Sequence, residues 1–158
     1  MEPRQLSYRN STIGYCRFGS GPKTAVCFHG YGEEASVFAF LAQYAGNQYS
    51  FYAIDLPFHG KTEWDDGWDF THKDLQQIVE IITREDNQKS ENKKQKITLI
   101  GFSLGGRAVL SLYQAMPERT DRIVLLAPDG LKIKPPPPRF KNQSNYRPAS
   151  TPPILSSS

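Results

Sequence analysis

The spacing of apolar and polar side chains divides this chain into short alternating segments. Residues 5–9 and 12–18 alternate well enough to read as two antiparallel strands joined near Asn10-Ser11. Thr24-Ala25-Val26-Cys27-Phe28 is a continuous apolar run suited to a buried strand, and it ends at His29-Gly30-Tyr31-Gly32. A helix is expected from about Ala35 to Tyr44, then a strand over Ser50–Asp55 that closes at Leu56-Pro57-Phe58-His59-Gly60. Thr71 with Asp74 three residues on is a capping-box signal, and Leu75, Ile78, Val79 and Ile82 then mark one apolar helical face. Arg84 to Lys96 is polar and mixed in charge, as a solvated connection would be. Ile97–Phe102 reads as a buried strand, Leu104 to Gln114 as a helix stopped by Pro117, and Arg122–Ala127 as a further strand. Strands alternating with helices imply an α/β fold: a doubly wound, mostly parallel sheet preceded by an antiparallel hairpin.

Composition changes this picture at one place. After Lys134, Pro135-Pro136-Pro137-Pro138 opens a 24-residue segment in which half the residues are proline or serine. Such a segment lacks the donors and apolar positions a sheet or helix needs, so residues 1–134 are expected to form the folded core and 135–158 a disordered tail. The charge divides at almost the same point. The formal net charge is +3, yet the first 131 residues carry 14 basic and 16 acidic side chains, and the excess of cations belongs to the tail. No aromatic-interleaved basic face accompanies it, so nucleic acid is not an expected partner. The N-terminus lacks the apolar stretch of a signal peptide and no run approaches a membrane span, which makes a cytoplasmic location the expectation. Cys16 and Cys27 have no metal-type spacing and read as free thiols.

The densest chemistry lies at Gly101-Phe102-Ser103-Leu104-Gly105. A serine with glycines two positions away on each side, preceded by a strand and followed by a helix, is the G-x-S-x-G turn that lifts a nucleophilic hydroxyl to the carboxyl edge of a parallel sheet. So tight a turn brings strand and helix together, and glycine avoids the collision a Cβ would cause. The N–H groups at the start of the following helix can stabilise an oxyanion. No cofactor motif accompanies it. Gly19-Ser20-Gly21-Pro22-Lys23-Thr24 has proline before its lysine and precedes its strand, so it fails as a phosphate loop.

Two further segments lie in order with this one. His29-Gly30-Tyr31-Gly32 after a buried strand resembles the H-G-x oxyanion loop of α/β-hydrolases, and Asp55-Leu56-Pro57-Phe58-His59-Gly60-Lys61-Thr62 resembles their D-x-P-x-H-G-x-S segment. With Gly101–Gly105, at separations of roughly 25 and 45 residues, the chain resembles the lipase/esterase-like branch of that family over residues 5–131. The resemblance implies a serine hydrolase acting on a carboxylic ester or related small carbonyl substrate, through an acyl-enzyme on Ser103. It implies oxyanion donors at the backbone N–H groups of Tyr31 and Leu104, with His29 orienting the loop. Asp55 and His59 would be a structural pair shaping the turn after their strand.

The same resemblance makes a demand. A serine hydroxyl needs a histidine base held by a carboxylate, in the order Ser, acid, His. The three histidines, His29, His59 and His72, all precede Ser103, and Asp129 in Pro128-Asp129-Gly130 reads as an ordinary turn residue. The expectation is therefore a truncated hydrolase without its triad histidine, or alternatively a non-catalytic remnant that binds a ligand or partner in the old pocket. Its last strand would be an apolar sheet edge open to self-association.

Overall fold

The computed structural model describes residues 1–87 and 95–128. The tail over 135–158, Asp129 and part of the connection after Arg84 lie outside the described residues. Among the described residues six strands make one sheet: β1 (Glu2–Tyr8), β2 (Ser11–Phe18), β3 (Lys23–Phe28), β4 (Tyr49–Ile54), β5 (Ile97–Phe102) and β6 (Thr120–Leu126), in spatial order β1-β2-β4-β3-β5-β6. β4, β3, β5 and β6 are parallel, while β1–β2 and β2–β4 are antiparallel. The expected α/β sheet with an N-terminal hairpin is what the chain forms.

The hairpin is tighter and longer than its alternation suggested. Tyr8 pairs with Ser11 across a two-residue turn, and Arg9 takes a positive φ of 51°. β1 begins at Glu2 because its partner strand continues to Arg17 and Phe18, so pairing recruits residues that lack any apolar signal of their own.

The strands with continuous apolar runs are covered on both faces, as period-two geometry requires. Val26 and Phe28 of β3 and Leu99 of β5 point into a core with α2 (His72–Asn87) and α3 (Leu104–Ala115). Their neighbours Ala25, Cys27 and Ile100 point to the opposite face, onto Ala35 and Phe38. The α2 face predicted from spacing is the buried one: Leu75, Ile78, Val79 and Ile82 are each at most 3% exposed. Its start is a reciprocal capping box, with Asp74 accepting from the Thr71 backbone N–H (2.9 Å) and hydroxyl (2.6 Å).

The helix expected over 35–44 is a correction. A 3-10 turn spans Ala35–Phe38 and a short α1 follows at Leu41–Ala45. The contacts to the sheet come from Ala35 and Phe38 of the 3-10 turn, three residues apart, and from Leu41 and Ala45 of α1, four residues apart. The first spacing suits the three-residue turn of a 3-10 helix and the second the α-helical 3.6.

Candidate active site

The carboxyl ends of β3, β4 and β5 each run into a loop, and the three loops meet at one edge of the sheet. Ser103 is the turn between β5 and α3, with φ 49° and ψ −114°, a region a residue with a Cβ enters only under strain. The turn is held from both sides: the Ser103 N–H donates to the Leu126 carbonyl (2.9 Å) and the Gly106 N–H donates to the Ser103 carbonyl (2.9 Å). A Cβ on Gly101 would sit 2.6 Å from the Gly105 carbonyl oxygen. A Cβ on Gly105 would strike the Phe28 carbonyl of β3 instead, so the second glycine is required by the neighbouring strand. Leu104 opens α3, and its N–H is among those a helix leaves without an intrahelical carbonyl.

The loop after β3 is a tight turn, Gly30-Tyr31-Gly32-Glu33, with Gly32 at φ 76° and the Glu33 N–H donating to the Gly30 carbonyl (3.3 Å). His29 beneath it is fully buried. Its Nε2 accepts the Leu56 N–H (3.0 Å), which places the ring proton on Nδ1, and Nδ1–H donates to the Gly30 carbonyl (2.7 Å). Burial, only partly offset by the Gly30 hydrogen bond, pushes the His29 pKa below its ordinary value and keeps the ring neutral. The Gly30 carbonyl therefore has two donors. Because the peptide is trans, the Tyr31 N–H points to the opposite side, away from the loop interior. Glu33 adds a third tie, its carboxylate accepting the Gly30 N–H (3.0 Å).

Asp55 and His59 do not form the expected pair. The buried Asp55 carboxylate accepts the Ala35 N–H through Oδ1 (2.6 Å) and the Lys61 N–H through Oδ2 (2.9 Å), joining the loops after β3 and β4. His59 donates through Nδ1 to the Pro57 carbonyl (2.9 Å). Its ring lies 5.1 Å from that of His29 and 5.5 Å from that of Tyr31. The carboxylate is consumed by backbone amides of two different loops, whereas the imidazole lies against the rings of His29 and Tyr31. His72 is exposed on the first turn of α2. Among the described residues no histidine is hydrogen-bonded to a carboxylate.

A groove of about 330 Å³ begins at Leu104 and runs between α3, the start of α2 and the 56–59 loop. Leu104 lines it, while the Tyr31 side chain stands 84% exposed outside it. Sequence reasoning missed Glu33 and the groove residue Arg107. Arg107 had a legible signal, since 104, 107, 108 and 111 follow the i, i+3, i+4, i+7 spacing of one helical face. Glu33 had none, because its role arises from the turn it closes.

Fold and loops together define an α/β-hydrolase. A sequence model of the family Serine aminopeptidase, S33, matches residues 21–152, and the chain belongs to that family. It is 31% identical over 111 residues to a pimeloyl-[acyl-carrier protein] methyl ester esterase of Aeromonas salmonicida, covering 70% of this chain and 39% of that protein. It is 30% identical over 110 residues to YugF, an uncharacterized hydrolase of Bacillus subtilis, covering 70% of this chain and 38% of that protein. The thioesterase domain from the curacin biosynthetic pathway has the same fold, with a TM-score of 0.65 at 23% identity over 81% of this chain and 46% of its own. The chain thus spans about two fifths of the length of the curated relatives it matches. Among the described residues no helix is long and apolar enough to cross a membrane.

Proposed function

We propose that this chain carries the nucleophile and oxyanion-binding part of a serine hydrolase for carboxylic esters. The observation that carries the reading is the strained backbone of Ser103, set between β5 and α3 at the carboxyl edge of the sheet with no room for a Cβ at Gly101 or Gly105. In this reading Ser103 Oγ attacks the ester carbonyl carbon, and the carbonyl oxygen becomes an oxyanion bound by the N–H groups of Leu104 and Tyr31. Collapse of that intermediate expels the alcohol and leaves an acyl group on Oγ; attack by water then frees the acid and restores the hydroxyl. Removing one such donor typically costs about 10²–10³ in rate. The esterase relative supports the substrate class.

The proton on Ser103 Oγ needs an acceptor, and none of the three histidines of this chain fits that role. Both ring nitrogens of His29 are bonded to backbone, His59 has no carboxylate behind it among the described residues, and His72 is exposed on α2. The base is therefore assigned to a group other than these. The same placement of histidines favours a second reading, in which the chain binds a ligand at this edge without turning it over.

A fluorophosphonate probe separates the two. Stoichiometric labelling of the 158-residue protein, abolished by Ser103→Ala, is expected of an activated serine. No labelling of the folded protein overturns the catalytic reading and leaves the binding one.

A further inference from the structure

The groove beside Ser103 has a chemical polarity of its own. α3 presents Leu104, Arg107, Ala108 and Ser111 to it, one helical face that starts next to Ser103. The walls opposite are mainly apolar, with Phe58, Phe70 and Leu75 beside His59, Thr71 and His72. At about 330 Å³ the space lies at the small end of ligand pockets, which run from about 300 to 1,000 Å³. Phe58 stands at the rim 68% exposed and at a φ of 66°, an outlying conformation for a bulky residue of the kind that collects at ligand clamps. A second cavity continues from His72 and Ser111 toward Gln76 and Gln114, so the far end is polar.

The charge in the groove has one sign. Among the described residues, Arg107 and two histidines are its ionisable lining groups, and none of the lining residues is a carboxylate. Asp74 at the start of α2 is already engaged: its Oδ1 holds Arg9 at 2.8 Å and accepts the Tyr8 hydroxyl at 2.9 Å, and its Oδ2 accepts the Thr71 N–H and hydroxyl. An apolar channel with a guanidinium about one helical turn from the serine matches an apolar stem that ends in an anion.

We propose that this groove is an acyl-chain site selective for an ester whose chain carries a terminal carboxylate. The ester group lies at Ser103, the stem along Leu104 and Ala108 between Phe58 and Phe70, and the carboxylate at Arg107. The proposal rests on the reading of Ser103 for the end at which the ester lies, while the groove and its charge stand without it.

The test is binding to the 158-residue Ser103→Ala protein, followed by amide NMR titration with monomethyl suberate and with dimethyl suberate. The two probes share a stem and differ in one charge. Monomethyl suberate is expected to bind about 2–5-fold more tightly, the range for an exposed ion pair, with shifts concentrated at residues 56–59 and 104–111. Arg107→Ala should erase that difference, and Arg107→Glu should reverse the preference. Equal affinities for the two esters, a preference that survives Arg107→Ala, shifts elsewhere, or no binding of either probe would each overturn the proposal. Hydrolysis plays no part in this measurement. Loss of selectivity therefore refutes the groove alone, while loss of fluorophosphonate labelling refutes the catalytic role alone.

Discussion

Removing the Asp55 carboxylate should loosen the site edge and the whole fold together. The side chain is buried and ties the start of the 3-10 turn to the 55–62 loop through its two hydrogen bonds. In Asp55→Ala, the buried Ala35 N–H loses its acceptor, at a cost of about 1–3 kcal/mol. The Lys61 N–H lies in a more open turn and loses about 0.5–1.5 kcal/mol. The expected loss is about 2–4 kcal/mol, a large part of the 5–15 kcal/mol that holds a typical domain together. Asp55→Asn keeps one oxygen for Ala35 but turns an NH₂ toward the Lys61 N–H, so about 1–2 kcal/mol should be lost. Urea unfolding followed by the fluorescence of the buried Trp64 reports this directly, and a midpoint lower by about 1–2 M is expected for alanine. His59→Ala is the control: with one bond to the Pro57 carbonyl, it should cost no more than about 1 kcal/mol. Asp55→Ala within 0.5 kcal/mol of the native protein, or His59→Ala as damaging as Asp55→Ala, would refute the assignment of the two roles.

Two further outcomes follow from the same geometry. His29 is held neutral by burial, so its folded pKa lies below the unfolded value and the unfolded chain binds the extra proton first. Its contribution is complete above about pH 6.5 and is lost as the pH falls from there toward the folded pKa; urea midpoints from pH 8 to 5 should decline in the native protein and flatten in His29→Gln, and a flat native profile would contradict the assignment. β6 is the outer strand of the described sheet, with Ile123, Val124 and Leu125 half-buried and Leu126 46% exposed. Light scattering is expected to show concentration-dependent self-association that Leu126→Lys reduces, and a monodisperse monomer at high concentration would count against this edge as a pairing surface.

The sheet and its two helical layers were legible because each signal is local. Continuous apolar runs such as Thr24–Phe28 cannot be hidden except by burial on both faces, and Thr71 with Asp74 encodes a helix start within four residues. The segment 35–44 was misread as one helix because its contacts to the sheet change spacing, three residues from Ala35 to Phe38 and four from Leu41 to Ala45. Which period prevails depends on the surface beneath, and no stretch of ten residues contains that surface.

The site divides in the same way. The sequence by itself determined where the serine turn stands, the order of the three loop motifs and the absence of any histidine after Ser103, since these are matters of residue type and spacing. Tertiary structure alone decided what the polar side chains do. It turned the Asp55 carboxylate to the amides of Ala35 and Lys61 and away from His59, and it set Gly105 against the Phe28 carbonyl rather than against its partner glycine. It also carried Arg107 into an apolar groove while turning Asp74 toward Arg9. The reason is physical. A buried donor or charge must find a partner within about 3 Å, and that partner is chosen by how the sheet brings distant segments together, not by the segments themselves.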